Sequence, residues 1–353
     1  MLDRNSKKME KNNRLRILNI LGGARDGGAE KFFERICFAL SKKHNVSQEV
    51  IIRKNQVRYQ SLKKVINKIH QINFFYFFNP FCHKKIEEIY SKFKPHITLT
   101  WMNRASRLLP TKNSKSSINI GRIGGYYKIK NYVNCDYIIT NTEDLRNFVI
   151  EKGWDPLKVE FIPNFVDENN KEKIKKKSLK KNIICLGRFH KNKGIDILLK
   201  AMTYISSHDL WVVGGGEEKK FYDELISKYN LSDKVFFYEW TDNISKFLNV
   251  SDVLVCPSRH EPFGNVIVEA WAHKVPVIVS DIGGPKVIIK HKVNGLKFKN
   301  EDMYDFLVQF KTLDESKSTR QKLIKNGFND YKKKYSENII INKYLSFFKK
   351  VLQ

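Results

Sequence analysis

Two doubly wound α/β domains, each built on a mainly parallel sheet, are what this 353-residue chain predicts. Short apolar runs that end in glycine alternate with amphipathic helical patterns, the signature of βαβ units. The alternation starts afresh after a lysine-rich stretch at 171–181. The length and a hydrophobic content of 41% suffice for two domains with cores of their own.

The first unit opens at Leu15–Leu21 (LRILNIL), a strand pattern that stops at Gly22-Gly23. Gly27-Gly28-Ala29-Glu30 then starts a helical period that runs to Leu40. Further strands are expected at Val50–Ile52, His96–Thr100, Ile118–Ile120, Tyr137–Thr140 and Val159–Ile162, with helices at Lys84–Lys92 and Glu143–Lys152. The aromatic stretch Ile72–Phe81 (INFFYFFNPF) reads as a buried strand and turn in preference to a membrane-dipping loop. KEKIKKKSLKK at 171–181 has too few apolar residues for a core element and reads as a linker. After it come strands at Asn182–Leu186, Leu210–Val213, Lys234–Phe237, Val253–Cys256 and Val275–Val279, a helix over Gly194–Tyr204, and a closing amphipathic helix over Glu337–Leu352. The expected organisation is a disordered tail (1–13), a first domain (14–170), a linker (171–181), a second domain (182–336) and a helix (337–353) returning to the first. The two domains are expected to face a central cleft, because open α/β sheets bind ligands beyond the carboxyl ends of their strands.

Composition narrows the function. The chain contains no run of about eighteen apolar residues, and its first thirteen residues lack the apolar centre of a signal peptide. Five cysteines, widely spaced and in no CxxC pair, point to a reducing cytoplasm and away from structural zinc or disulfides. The formal charge of +28 is mostly lysine. An RNA-binding module would interleave aromatics with arginine, and none is seen, so no nucleic acid is expected. An anionic membrane surface or acidic glycolipid suits the charge better, each nearby basic residue contributing about 1 kcal/mol. The joint richness in Lys, Asn and Ile also fits drift in an AT-rich genome.

The most informative segment is EPFGNVIVEA, Glu261–Ala270. Two carboxylates, Glu261 and Glu269, bracket a Pro-Phe-Gly break, and a helix is expected from about Asn265. The N–H groups of its first turn favour a phosphate. Glu261 would project from the loop and Glu269 lie two turns on. With a diphosphate between them, each carboxylate could reach a hydroxylated ring, a layout that suits a nucleotide-sugar. Upstream, Gly187-Arg188-Phe189 with Lys193-Gly194 forms the second domain's first strand-to-helix turn. Arg188 as a planar fork and Lys193 as a point charge are well spaced to clamp a diphosphate. Alone they would read as two solvated surface cations; with EPFGNVIVE following, the clamp is preferred. Gly214-Gly215-Gly216 lacks the dinucleotide spacing, as do Gly22-Gly23 and Gly27-Gly28, which instead permit close backbone approach to a ligand. No DxD triplet and no metal-ligand spacing occur, so neither metal nor cofactor is expected. Of the nearby histidines His190, His260 and His273, only His260, beside Glu261, draws functional interest.

Together these residues resemble the retaining glycosyltransferases of family 4, which have the two-domain GT-B architecture. The resemblance covers nearly the whole chain. Its most specific parts are GRFHKNKGIDILLKA (Gly187–Ala201) and EPFGNVIVEA, the family's E-x7-E element; Gly27–Glu30, IPNFVD at Ile162–Asp167 and Gly283-Gly284 support it. The resemblance implies a donor held mainly by the second domain and an acceptor held mainly by the first. Arg188 and Lys193 would neutralise the leaving diphosphate. Glu261 would contact donor sugar hydroxyls, and Glu269 the ribose. Gly187 and the backbone of Phe263, Gly264 and Asn265 would assist, with Gly23 lying under the donor from the first domain.

Where many family members place a histidine, this chain has RIGGYY, Arg122–Tyr127. That variant resembles a bacterial subgroup linked to cell-envelope polysaccharide and lipopolysaccharide-core assembly, and it nominates Arg122, Gly124 and Gly125 as cleft residues. The implied function is a metal-independent transfer from a nucleotide-diphosphate sugar, UDP favoured, to an envelope glycan or glycolipid. The implied setting is the cytoplasm, peripheral to the inner face of the membrane. The rival readings are a GT-B sugar-nucleotide epimerase and a non-catalytic basic protein that binds nucleotide or RNA.

Overall fold

The structure is a computed structural model that describes residues 14–23, 27–72, 80–110, 117–166 and 171–353, with the backbone alone at 80 and 81. The tail at 1–13 and nearly all of the aromatic stretch 72–81 lie outside the described residues, as does Asp167 of the IPNFVD segment. The chain forms two compact units: residues up to Asn164 together with Glu337–Gln353, and Phe165–Ser336. The charged stretch at 171–181 therefore belongs to the second unit. Ile174 N–H donates to the Lys246 carbonyl at 3.0 Å, Lys176 pairs with Asp252 at 3.3 Å, and Lys181 is already the first residue of a strand.

The first unit holds seven parallel strands: β1 (Leu15–Leu21), β2 (Val46–Ile52), β3 (Lys68–Gln71), β4 (Ile97–Trp101), β5 (Ile118–Ile123), β6 (Tyr137–Thr140) and β7 (Val159–Phe161). Their order is β3-β2-β1-β4-β5-β6-β7. The central strands are buried on both faces, which is why they read as continuous apolar runs. Helix α1 (Gly28–Ser41) buries Phe32, Phe33, Ile36, Cys37 and Leu40, the helical spacing seen in its sequence. Helices α2 (Gln56–Lys63), α3 (Pro80–Phe93), α4 (Met102–Arg107) and α5 (Glu143–Glu151) complete the crossovers. Thr142 caps α5 by accepting the Leu145 N–H.

The second unit holds β8 (Lys181–Leu186), β9 (His208–Val213), β10 (Val235–Tyr238), β11 (Val253–Cys256), β12 (Val277–Ser280) and β13 (Leu296–Phe298), all parallel, in the order β10-β9-β8-β11-β12-β13. Alternate residues feed opposite faces. Ile183, Cys185, Leu210, Val212, Val253 and Val255 join one core, whereas Ile184, Leu186, Trp211, Val213, Leu254 and Cys256 join the other. The helices are α6 (Ile195–Ala201), α7 (Lys219–Lys228), α8 (Ser245–Leu248), α9 (Asn265–Ala272), α10 (Gly283–Ile288), α11 (Met303–Glu315) and α12 (Lys317–Asp330). The last helix, α13 (Glu337–Leu352), is part of the first unit: Lys42 pairs with Glu337 at 2.7 Å, and the rings of Tyr137 and Phe347 meet edge to face at 5.8 Å. Among the described residues no helix is long and apolar enough to cross a membrane.

Candidate functional site

In a doubly wound sheet the crossovers reverse direction at one point, and the two loops leaving there part to open a crevice at the carboxyl edge. In the second unit that point lies between β8 and β11. The loop after β8 carries Gly187–Gly194, and the loop after β11 carries Pro257–Gly264, so the fold brings together the two motifs singled out in sequence.

Local geometry locks these loops to each other. His190 Nδ1 accepts the Asn192 N–H at 3.1 Å and caps the short turn Lys191–Lys193. Gly194 follows in the left-handed region at φ 62°, and a Cβ there would overlap the Pro257 carbonyl oxygen. Only glycine satisfies both demands. The Asn192 carbonyl accepts from Arg259 N–H at 2.8 Å and His260 N–H at 3.3 Å. Arg259 then forks onto Asp196 with contacts of 2.8 and 2.7 Å, donates from Nε to Glu301 at 2.6 Å and reaches the Lys191 carbonyl at 2.7 Å. The hydrogen bond to Asp196 leads in raising the guanidinium pKa above its ordinary value, so the charge is fixed.

On this frame Lys193 lies along Gly187, where a Cβ would sit 3.4 Å from its side-chain carbons, and its Nζ meets Glu261 Oε2 at 2.5 Å. Burial, the largest single influence, pulls the ammonium pKa down, but the Glu261 carboxylate together with Cys256 and Cys185 outweighs it, and the net shift is upward. The Glu261 carbonyl accepts the Gly284 N–H at 2.9 Å, and Gly283, at φ 44°, packs against the same carbonyl. Gly264, at φ 91°, turns the chain into α9, whose first residue is Asn265. Glu269 is buried on that helix at 8% exposure.

The structure thus joins Gly187, Lys193, Glu261, Gly264 and Asn265 along one sheet edge. Arg188 stands exposed on the same loop, and among the described residues it forms no ion pair. Phe263 is a core side chain that meets Tyr335 edge to face, so only its backbone is left to face a ligand. Sequence reasoning missed Arg259 and Asp196. Asp196 sits inside the GRFHKNKGID motif and Arg259 two residues before Glu261, yet only the fold shows that they pair.

The first unit gives two of the expected residues protein neighbours of their own. At Gly23 and Gly27 the group nearest the position a Cβ would take is the carboxylate of Glu30, folded back from α1 and 4% exposed. Arg122, expected as a cleft residue, is buried at 3% exposure. Its Nε donates to the Tyr344 hydroxyl at 3.1 Å and its Nη2 to Asn164 Oδ1. Gly124 and Gly125 follow it at the end of β5, and Gly125 packs on the Tyr127 ring.

The two doubly wound units, with a lysine–carboxylate pair at the reversal point of the second, define a glycosyltransferase of the GT-B type. The chain belongs to the family described as glycosyl transferases group 1, whose model matches residues 166–330. An uncharacterized glycosyltransferase of Methanocaldococcus jannaschii is 30% identical over 272 residues, covering 68% of this chain and 69% of that one. The lipopolysaccharide core biosynthesis glycosyltransferase LpsE of Rhizobium meliloti is 29% identical over 332 residues, covering 91% of this chain and 95% of the relative. Among solved structures, Anabaena HepE in complex with UDP and glucose superposes with a TM-score of 0.81 at 16% identity, covering 96% of this chain and 100% of that one.

Proposed function

We propose that the protein is a retaining, metal-independent glycosyltransferase that moves a sugar from a UDP-sugar to a glycan or glycolipid of the bacterial envelope, working in the cytoplasm at the inner face of the membrane. One observation carries the catalytic part: the 2.5 Å contact between Lys193 and Glu261 at the reversal point of the second sheet. It stations a charged ammonium and a carboxylate side by side where a donor's phosphates and sugar would meet. The relatives' names support the envelope setting, since LpsE and LpsD of Rhizobium meliloti are both named for lipopolysaccharide core biosynthesis. Complexes of HepE with UDP and with UDP-glucose support UDP as the donor nucleotide.

In this reading the anomeric C–O bond breaks and its electron pair passes to the β-phosphate oxygen. The acceptor hydroxyl oxygen forms the new bond on the same face, and its proton goes to that departing oxygen. Lys193 and Arg188 meet the charge that develops on the diphosphate, the main electrostatic task of such a step. Glu261 orients the sugar through its hydroxyls, and Glu269 holds the ribose.

The test is a nucleotide-release assay with UDP-, GDP- and ADP-sugars and envelope extracts as acceptor, with and without chelator. UDP release that needs acceptor, survives EDTA and falls steeply in Glu261→Ala supports the proposal. Donor turnover without acceptor would point instead to an epimerase. A main activity untouched by Glu261→Ala would leave a binding protein.

A further inference from the structure

Strand β5 carries a cation to the carboxyl edge of the first sheet, where its hydrogen-bond and ring partners among the described residues are neutral. Arg122 donates to the Tyr344 hydroxyl and to the Asn164 amide oxygen, and its guanidinium carbon lies 4.7 Å from the centre of the Phe32 ring and 5.0 Å from that of Trp101. Among the described residues no carboxylate lies within ion-pair distance of it. Glu30 shares the neighbourhood, since both groups act on Tyr127. A guanidinium has five N–H donors, and the two hydrogen bonds leave the Nη1 pair without an acceptor among the described residues. A buried cation lacking a counter-charge is costly to a fold.

The unused end faces the side of Gly124 where a Cβ would stand. A Cβ built on Gly124 would lie 3.4 Å from Arg122 Nη1 and 3.9 Å from Asn141 Nδ2. The backbone of Gly124 is outside the left-handed region, so glycine there leaves space rather than relieving strain. Asn141, just beyond β6, is 4% exposed, and its Oδ1 is sealed without a partner. Among the described residues its side-chain amide makes no hydrogen bond. An arginine and an asparagine, both buried and both under-used, thus converge on the space that Gly124 leaves.

We propose that this space takes an anionic oxygen of a phosphate or carboxylate, with Arg122 Nη1 and the Asn141 amide as donors, and that the acceptor carries that anion. The anion site stands on its own geometry; its assignment to the acceptor rests on the transferase reading above. The residues proposed for the diphosphate (Arg188, Lys193, Gly264 and Asn265) all belong to the second unit, whereas Arg122, Gly124 and Asn141 belong to the first. Whether the anion at Arg122 is carried by the acceptor or by the donor is decided by the transfer assays below.

The deciding variant is Asn141→Asp, which supplies a carboxylate from within. The full chain is titrated with inorganic phosphate at ionic strength held constant with chloride, and its melting temperature is followed. The wild type is expected to be stabilised by phosphate beyond chloride, and Lys193→Ala, which weakens the donor-phosphate site, to keep the part of that response that belongs to Arg122. Asn141→Asp is expected to melt higher than wild type without phosphate and to lose most of the response. Phosphate that does no more than chloride, or a response equal in Asn141→Asp and wild type, overturns the site. In transfer assays, Asn141→Asp should raise KM for an acidic acceptor about tenfold while UDP binding stays within about twofold. A raised KM for the donor sugar instead would place the anion on the donor and overturn the acceptor assignment. Loss of UDP binding by the wild type, with the phosphate result intact, would sink the transferase reading and leave the anion site standing.

Discussion

Replacing Lys193 by methionine removes the ammonium and keeps most of the stem packed along Gly187. Its partner Glu261 then stays with 14% of its side chain exposed, facing no cation at 2.5 Å; Lys193 itself was 26% exposed. Removing one partner from a fully buried pair costs about 3–5 kcal/mol, and exposed pairs contribute about 0–1 kcal/mol. Exposures in this range place the loss at about 1–2 kcal/mol. A double-mutant cycle with Glu261→Gln should return a coupling of that order in urea unfolding. The functional loss should be larger, about 100- to 1,000-fold in kcat, the usual effect of deleting one preorganised group at a developing oxyanion. The two variants should also part company. Lys193→Met weakens UDP binding measured by calorimetry, whereas Glu261→Gln frees the ammonium and leaves UDP affinity within about threefold while lowering kcat. The pH dependence follows from the raised pKa of Lys193. A lysine whose folded pKa exceeds its unfolded value contributes stability that is whole below the unfolded pKa and is lost as pH climbs through the folded one. The coupling should therefore be flat across neutral pH and decline only above the ordinary lysine range. Folded Lys193→Met with wild-type turnover, or equal loss of UDP affinity in both variants, would refute the assignment of phosphate to Lys193 and sugar to Glu261.

Three further outcomes are expected. Gly194→Ala forces φ 62° on a residue with a Cβ and drives it into the Pro257 carbonyl; a loss of roughly 2–4 kcal/mol in urea unfolding is expected, and a loss under about 0.5 kcal/mol would contradict the packing. Arg259→Lys breaks the double contact to Asp196 that ties the two site loops together; donor KM should rise about tenfold with little change in secondary structure by circular dichroism. His208, 1% exposed, has its pKa lowered chiefly by burial, against the pull of Asp314. A depressed histidine pKa means the unfolded chain binds the proton first, so stability should fall as pH drops through the unfolded histidine range near 6.5. His208→Gln should flatten the melting temperature between about pH 7 and pH 5.

Strands buried on both faces announce themselves as apolar runs, and β1, β4, β6 and β11 were legible to within a residue or two. The unexpected elements are those whose burial is weak or whose run is short. Strand β3 is the edge segment KIHQ, exposed at both ends, and β13 has three residues. Helix α2 (QVRYQSLK) has a mean hydropathy too low to show an apolar stripe. Glycines with a left-handed backbone, Gly194 and Gly264, marked the loops correctly because their need is local. Relations across the chain were not legible. The Arg259–Asp196 fork joins residues 63 positions apart, and the Arg122–Tyr344 contact spans 222. Nothing in residue type or spacing announces such pairs, because the sheet order selects them.

The membership of α13 in the first unit has a consequence for how the chain is made. The second unit, Phe165–Ser336, is inserted whole between Asn164 and the helix that completes the first. Synthesis proceeds at about 5–20 residues per second, so the roughly 170 intervening residues separate the first unit's sheet from Tyr344 and Phe347 by about 10–35 seconds. During that interval Arg122 has no Tyr344 hydroxyl to accept its Nε–H, and Tyr137 lacks its aromatic neighbour. The later-made unit is the one free to finish first. Removal of α13 would thus injure the unit made first while sparing the one it adjoins in sequence.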